Sequence, residues 1–338
     1  MRVAGASTMR AAVLREHGGP EAFEYAEIER REPGEDEILV RVLACALNHL
    51  DIFVRRGMPG VPLPLPHVAG GDVAGRVVKA GGVDGEHLVG AAVLLDPMVG
   101  RHALGENLWG GLAEYVVAPA ANAIVLSGDG DGLERYAALP IAYGTARRML
   151  VERARVQAGE TVVVLGAAGG VGVACVQLGS RLGARVIACS SSEEKLGRLS
   201  ELGAETTVDT RGDWGSEVWQ LTGKRGADVV IDYIGRETWP TSIRCTRRGG
   251  RLVTCGATTG YEATTDLRYV WTRELDILGS DGWRRSDLEI LVGLVDSHEL
   301  EPVIHATFPL SHVRDAVAEL EERRAFGKVI VVPDADAA

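Results

Sequence analysis

The stretch Glu160–Lys195 constrains this chain more than any other. Thr161–Leu165 is a short apolar, β-branched run, the pattern of a buried parallel strand. Gly166–Gly172, reading GAAGGVG, holds too much glycine for the interior of a strand or helix, so it is a turn. Val171, Ala174, Cys175, Leu178 and Leu182 then recur at helical spacing on one face. Gly183 ends that helix, and Arg185–Cys189 begins a second apolar run. Strand, glycine turn, helix and strand within about 30 residues form a βαβ unit with a right-handed crossover.

The chemistry of the turn follows. Without Cβ atoms a phosphate approaches the backbone closely, and the start of a helix turns free N–H groups and the positive end of its dipole toward the anion. Ala167-x-Gly169-x-x-Gly172 fits the dinucleotide fingerprint G-x-G-x-x-G except at its first position. The backbone of Ala167, Gly169, Gly170 and Val171 is therefore expected against a pyrophosphate. The competing reading is a glycine turn that packs a helix closely on a strand and holds no ligand. Where an NAD site usually places Asp or Glu after the second strand, this chain has Ser190, Ser191 and Ser192, with Lys195 one turn later. Hydroxyls and an ammonium suit the 2′-phosphate of NADPH better than the bare ribose of NADH. A serine N-cap with a solvated lysine is the alternative, and Glu193 and Glu194 lie past the strand end.

At 338 residues the chain has length for about two domains. A net charge of −11 argues against nucleic acid or an anionic membrane as the main partner. No apolar run is long enough to span a bilayer, and no signal-peptide pattern opens the chain. Residues 1–8 read as an extension before a strand near Met9, itself an alternative start. Cys45, Cys175, Cys189, Cys245 and Cys255 are scattered, with no C-x-x-C pair, which fits a cytoplasmic, reduced protein without a structural metal.

Taken in order, residues 9–128 are β-rich. Met9–Leu14, Glu37–Cys45, Val73–Lys79, Leu88–Leu95 and Ala113–Ala118 are strand-like, with Val61–Pro66 and Ala80–Gly85 as punctuation and Asn48–Gly57 as one short helix. Helical patterns over 129–150 lead into 161–279, where Glu205–Val208, Asp228–Tyr233, Arg251–Cys255 and Leu275–Leu278 continue the strands. Six strands alternating with helices indicate an α/β, doubly wound parallel sheet. Ser286–Leu294 and Val313–Arg323 read as helices and Lys328–Val332 as a closing strand. They lack the βα repeat and are expected to return to the first domain. The expected division is 1–128 with 280–338, and 129–279.

This layout, with GGLAEY at Gly110–Tyr115, the GAAGGVG turn, NHLD at Asn48–Asp51, CGAT at Cys255–Thr258 and FGKV at Phe326–Val329, resembles the medium-chain dehydrogenase/reductase superfamily over nearly the whole chain. The resemblance implies a β-rich GroES-like catalytic domain, a Rossmann domain and an active site between them. It also implies Thr145 near the nicotinamide, Gly256 and Ala257 beneath it, Lys328 on the pyrophosphate, and a homodimer through Leu275–Leu278. Zinc-dependent members carry Cys at Asn48, Gly-His-Glu at Gly70-Gly71-Asp72, another Cys within Leu139–Gly144, and four cysteines in the loop that is Asp96–Gly111 here. None of these ligands is present. No metal is expected; the rival would be a site from His49, His67 and Asp72.

Reduction of a simple ketone builds charge on one oxygen, which a metal stabilises by several kcal/mol. Hydride attack on the β-carbon of an enone or quinone spreads the charge into an enolate, and one or two hydrogen-bond donors then suffice. The chain is thus expected to be an NADPH-dependent, zinc-independent reductase of an activated C=C or quinone, a small-molecule substrate. Asn48 is the candidate amide donor and His49 the candidate proton source, with a helix cap as the alternative for both. Tyr143 and Trp283 are candidate pocket walls or core aromatics. Two other functions stand beside this one: a zinc-free carbonyl reductase of the alcohol dehydrogenase type, and an NADPH-binding sensor or scaffold without turnover.

Overall fold

A computed structural model describes residues 7–58, 63–127 and 132–335, so part of the VPLPLP stretch and of the N-terminal extension lies outside the described residues. The chain forms two compact units, Met1–Ile141 with Leu288–Ala338, and Ala142–Asp287. Both divisions fall later than the sequence pattern suggests. The helix Leu133–Ala137 packs on the strands Glu37–Leu47 and Asp72–Ala80, which draws the segment before Ala142 into the first unit. The helix Arg285–Asp296 buries Leu288, Leu291, Val292 and Val295, and the division cuts just before that face.

The first unit is built on a sheet in the order Ala123–Val125, Ala92–Leu95, Asp72–Ala80, Glu37–Leu47, Lys328–Val332, Ile304–Pro309, with Tyr115–Pro119 also pairing Glu37–Leu47. Phe23–Glu29, Thr8–Leu14 and His67–Val68 make a smaller sheet beside it. The register decides which residues meet. Ala46 pairs with Asp72 and Leu47 with Val329, so Asn48, Asp72 and Lys328 converge at one end of three neighbouring strands although they lie far apart in the chain. The two longest strands that escape the sequence pattern are Phe23–Glu29 and Ile304–Pro309. In Phe23–Glu29 only Phe23 is buried, and Ile304–Pro309 is a half-exposed edge carrying His and Pro. The expected strand Leu88–Leu95 shortens to Ala92–Leu95, because Leu88–Ala91 form turns.

The second unit is a six-stranded, all-parallel sheet in the order Thr206–Asp209, Arg185–Ser190, Thr161–Val164, Ala227–Ile231, Thr246–Thr254, Asp276–Gly279. This is the doubly wound order 3-2-1-4-5-6, in which the first strand and the fourth mark the switch point where dinucleotides bind. Val163, Leu165, Ile187, Cys189, Val230 and Leu252 fill its core, and all five cysteines of the chain are free thiols. No helix among the described residues is long and apolar enough to cross a membrane.

Candidate functional site

In the second unit the strand Thr161–Val164 leads through the turn into the helix Gly170–Arg181. Gly166 has φ +64°, and a Cβ there would meet Ile234 Cδ1 at 2.7 Å. At Gly172 a Cβ would sit 2.4 Å from Gly166 O, so this glycine lets the helix press on the turn. Gly169, the N-cap, is different. Its only neighbour within 4 Å of a Cβ would be Gly166 O, at 3.6 Å. Packing alone does not require glycine here. The open space lies at the helix N-terminus, where the first N–H groups lack intrahelical partners, and this fits a pyrophosphate. Gly256 is also open, with Tyr233 Cβ at 3.9 Å as the nearest atom to a Cβ, and Ala257 follows it on the same loop.

Ser190 ends its strand buried, and its Oγ accepts from Ser192 N–H at 3.3 Å, while Ser191 is exposed. Lys195 lies in the first turn of the helix Glu193–Glu201, after Ser192 as N-cap; no side-chain capping bond forms there. The sheet adds a neighbour that sequence reading missed: Ser190 pairs with Asp209, whose carboxylate is held by Arg211 at 2.9–3.0 Å through Nε. That ion pair keeps the Asp209 carboxyl below its usual range, chiefly through the Arg211 hydrogen bond. Thr145 is buried at the start of a short helix between two π-helical turns, Leu139–Gly144 and Arg148–Arg153. Tyr143 is not a pocket wall. It is fully buried, and its hydroxyl donates to Gln177 Oε1 at 2.7 Å, as a satisfied core tyrosine does. Trp283 is half-buried in the loop after Asp276–Gly279.

The first unit holds a buried polar cluster. Lys328 Nζ donates to Asn48 Oδ1 at 2.5 Å, Leu47 O at 2.9 Å and Asp72 Oδ2 at 3.0 Å. An ammonium has three donors, and all three are used. The pyrophosphate contact expected of Lys328 is therefore corrected: its charge serves Asp72. Asn48 caps the helix His49–Arg56 by position, but its side chain faces the cluster, with Nδ2 donating to Asp72 Oδ2 at 2.8 Å and Ala46 O at 3.4 Å. Its amide is thus committed inside the protein, which corrects its expected role as a substrate donor. Asp72 Oδ1 accepts from Ile141 N–H at 2.9 Å.

Asp51 performs the capping, accepting from Asn48 N–H at 2.7 Å and Gly70 N–H at 2.9 Å. Burial outweighs these bonds and raises its pKa to about 6. The N-x-x-D spacing is a readable signal for Asp51, whereas Asp72 is placed by register alone. His49 opens the helix with over a third of its surface exposed. Crowding of its ring by the surrounding protein, with Lys328, Arg323 and Arg56 nearby, lowers its pKa below the ordinary value. That shift favours the neutral imidazole, which has one ring N–H to donate.

The residues present do not fit zinc. Asn48 Oδ1 and Asp72 Oδ2 already accept from an internal ammonium, whose charge the Asp72 carboxylate balances. Gly71, at the position of a zinc-binding histidine, has no space for a side chain: a Cβ would lie 2.8 Å from Leu104 O and 3.1 Å from Ile141 Cδ1. The rival set does not assemble, since His67 is buried with Nε2 3.3 Å from Gly105 O, and no group of three His, Cys, Asp or Glu able to hold a metal occurs among the described residues.

Comparison with known proteins agrees with this architecture. The family described as an alcohol dehydrogenase GroES-like domain matches residues 34–128, and that described as a zinc-binding dehydrogenase matches 170–297. An NADPH-dependent alkenal/one oxidoreductase, chloroplastic, of Arabidopsis thaliana is 34% identical over 331 residues, covering 96% of this chain and 80% of its own. The chain belongs to the medium-chain dehydrogenase/reductase superfamily, in its quinone oxidoreductase-like branch. A quinone oxidoreductase of Pseudomonas aeruginosa is 30% identical, covering 94% of this chain and 97% of its own. The crystal structure of an NAD-dependent alcohol dehydrogenase superposes with a TM-score of 0.91 at 40% identity, covering 96% and 100%. This superfamily member is an NAD(P)H-dependent oxidoreductase, and the sensor without turnover gives way to an enzyme.

Proposed function

We propose that the chain is an NADPH-dependent, zinc-independent reductase of enones or quinones. The observation that carries this reading is the closed Asn48–Asp72–Lys328 cluster, together with the missing side-chain space at Gly71. On this reading no metal polarises a simple carbonyl, and an acceptor that delocalises charge is the better match. The activities for which the Arabidopsis and Pseudomonas relatives are named support it. The bound nicotinamide supplies the hydride. Gly170 and Val171 would hold its pyrophosphate through backbone N–H groups, with Gly169 leaving the space for its approach; Ser190–Ser192 and Lys195 would meet the 2′-phosphate. His49, the exposed group beside the buried cluster, would donate a hydrogen bond to the developing enolate oxygen, and a proton from solvent on the α-carbon would complete the saturated ketone.

Two measurements test the proposal. An α,β-unsaturated ketone incubated with NADPH should yield the saturated ketone; an allylic alcohol would establish the second reading, a zinc-free carbonyl reductase, which the 40% identical alcohol dehydrogenase favours. Lys195→Ala should weaken NADPH about tenfold, roughly 1.4 kcal/mol, and leave NADH nearly unchanged in a fluorescence titration. Equal losses for both coenzymes would remove the 2′-phosphate role.

A further inference from the structure

Tyr233 follows the strand Ala227–Ile231 and belongs to no motif of the sequence. Its hydroxyl donates to Gly166 O at 2.9 Å. That carbonyl also accepts from Gly169 N–H at 3.0 Å, so both its lone pairs are used, and Gly172 in the first turn of the helix passes close to it, since a Cβ there would lie 2.4 Å away. One oxygen is thus the hub of the phosphate turn, and Tyr233 supplies one of its two donors. Burial pushes the phenol pKa well up, which keeps the donor protonated.

The other side of Tyr233 faces the loop after the strand Thr246–Thr254. Tyr233 O accepts from Thr258 N–H at 3.2 Å, and Ile234 O accepts from Thr259 N–H at 2.8 Å and Thr259 Oγ1 at 2.7 Å. Gly235 has φ +91°, and a Cβ there would meet Ala257 Cβ at 2.8 Å, so the two loops are in close contact. Asp232 anchors the base of this arrangement. It is fully buried and accepts from Ile234 N–H, Gly235 N–H, Thr238 Oγ1 and Ser242 Oγ.

We propose that Tyr233 is a positioning residue that registers the phosphate turn at Gly166 against the Gly256–Ala257 loop, and so sets the span available to a bound dinucleotide. This rests on the reading of the second unit as the coenzyme site. It touches the coenzyme only through the two loops. Tyr233→Phe removes the hydroxyl and keeps the ring, and the turn then loses one of its two ties.

Steady-state kinetics of Tyr233→Phe test this. KM should rise about tenfold for NADPH and for NADH alike, because the turn serves the part the two coenzymes share, while kcat at saturating coenzyme stays within about twofold. Lys195→Ala, by contrast, should affect NADPH alone. Unchanged coenzyme KM in Tyr233→Phe, or a loss confined to kcat, would overturn the proposal. If wild-type protein bound neither coenzyme, the reading of the site itself would fail, and a titration of wild type alone reveals that. Amide exchange on wild-type protein gives a second test: NADPH should protect Gly169 and Thr258 together. Protection of one without the other would break the proposed coupling.

Discussion

Lys328→Met should lower the stability of the protein by about 3–5 kcal/mol, read as a shift in the urea midpoint or a fall in Tm of roughly 5 °C. Methionine fills much of the same volume, so the loss comes from charge rather than from a cavity. Asp72 has no exposed surface, and its Oδ2 is shared by Lys328 and Asn48. Without the ammonium, a carboxylate stays buried with two neutral donors, Asn48 Nδ2 and Ile141 N–H. Asn48 Oδ1 and Leu47 O lose their donor in the same step. The double variant Asp72→Asn/Lys328→Met removes both charges and should recover more than half of the loss, since replacing a buried ion pair costs less than breaking one. A single variant that melted within a degree or two of wild type would show that the cluster is not an energetic unit.

The second large effect is a pH dependence. His67 is buried, and desolvation lowers its pKa from 6.5 to about 4 against the modest opposing pull of Gly105 O. Its folded form resists protonation, whereas the unfolded chain takes the proton near 6.5. Stability from His67 is therefore complete above pH 6.5 and lost as pH falls toward 4, by about 3 kcal/mol over the window. Asp51 acts in the opposite sense. Its raised pKa of about 6 costs stability at neutral pH, and protonation relieves that cost between pH 6 and the unfolded value of 3.8. These two contributions nearly cancel one another, so the part due to His67 is read from a difference between variant and wild type. His67→Gln keeps a donor for Gly105 O and removes the titration. Its urea midpoint should gain on wild type by the equivalent of about 3 kcal/mol as pH is lowered from 7 to 4. Parallel profiles for the two proteins would show that His67 is not the group that titrates.

Much of the coenzyme side is legible in the amino-acid order. The strand Thr161–Val164, the glycine turn and the helix Gly170–Arg181 are contiguous, and local pattern reports local structure. The helix His49–Arg56 and the final strand Lys328–Val332 are equally clear. Partnership across the chain is not. Lys328 follows Gly327 and opens a strand, which by analogy suggests a pyrophosphate ligand; strand register instead turns its ammonium to Asp72. Nothing adjacent to Asn48 in the chain signals that its amide is taken. For Tyr143 a pocket wall and a core aromatic are equal readings of the sequence, and Gln177, on the helix Gly170–Arg181, decides for the core by meeting its hydroxyl.

The βαβ unit, the absence of the zinc ligands and the family can all be read from the chain without its fold, because each depends on which residue types stand in short motifs along the sequence. It takes the folded molecule to reveal that Asn48, Asp72 and Lys328 close on one another, that Gly71 has no room for a side chain, and that Tyr233 ties Gly166 to the Gly256–Ala257 loop. These follow from strand register and loop docking, which bring together groups separated by tens to hundreds of residues, and no local pattern encodes which distant donor a buried acceptor will receive.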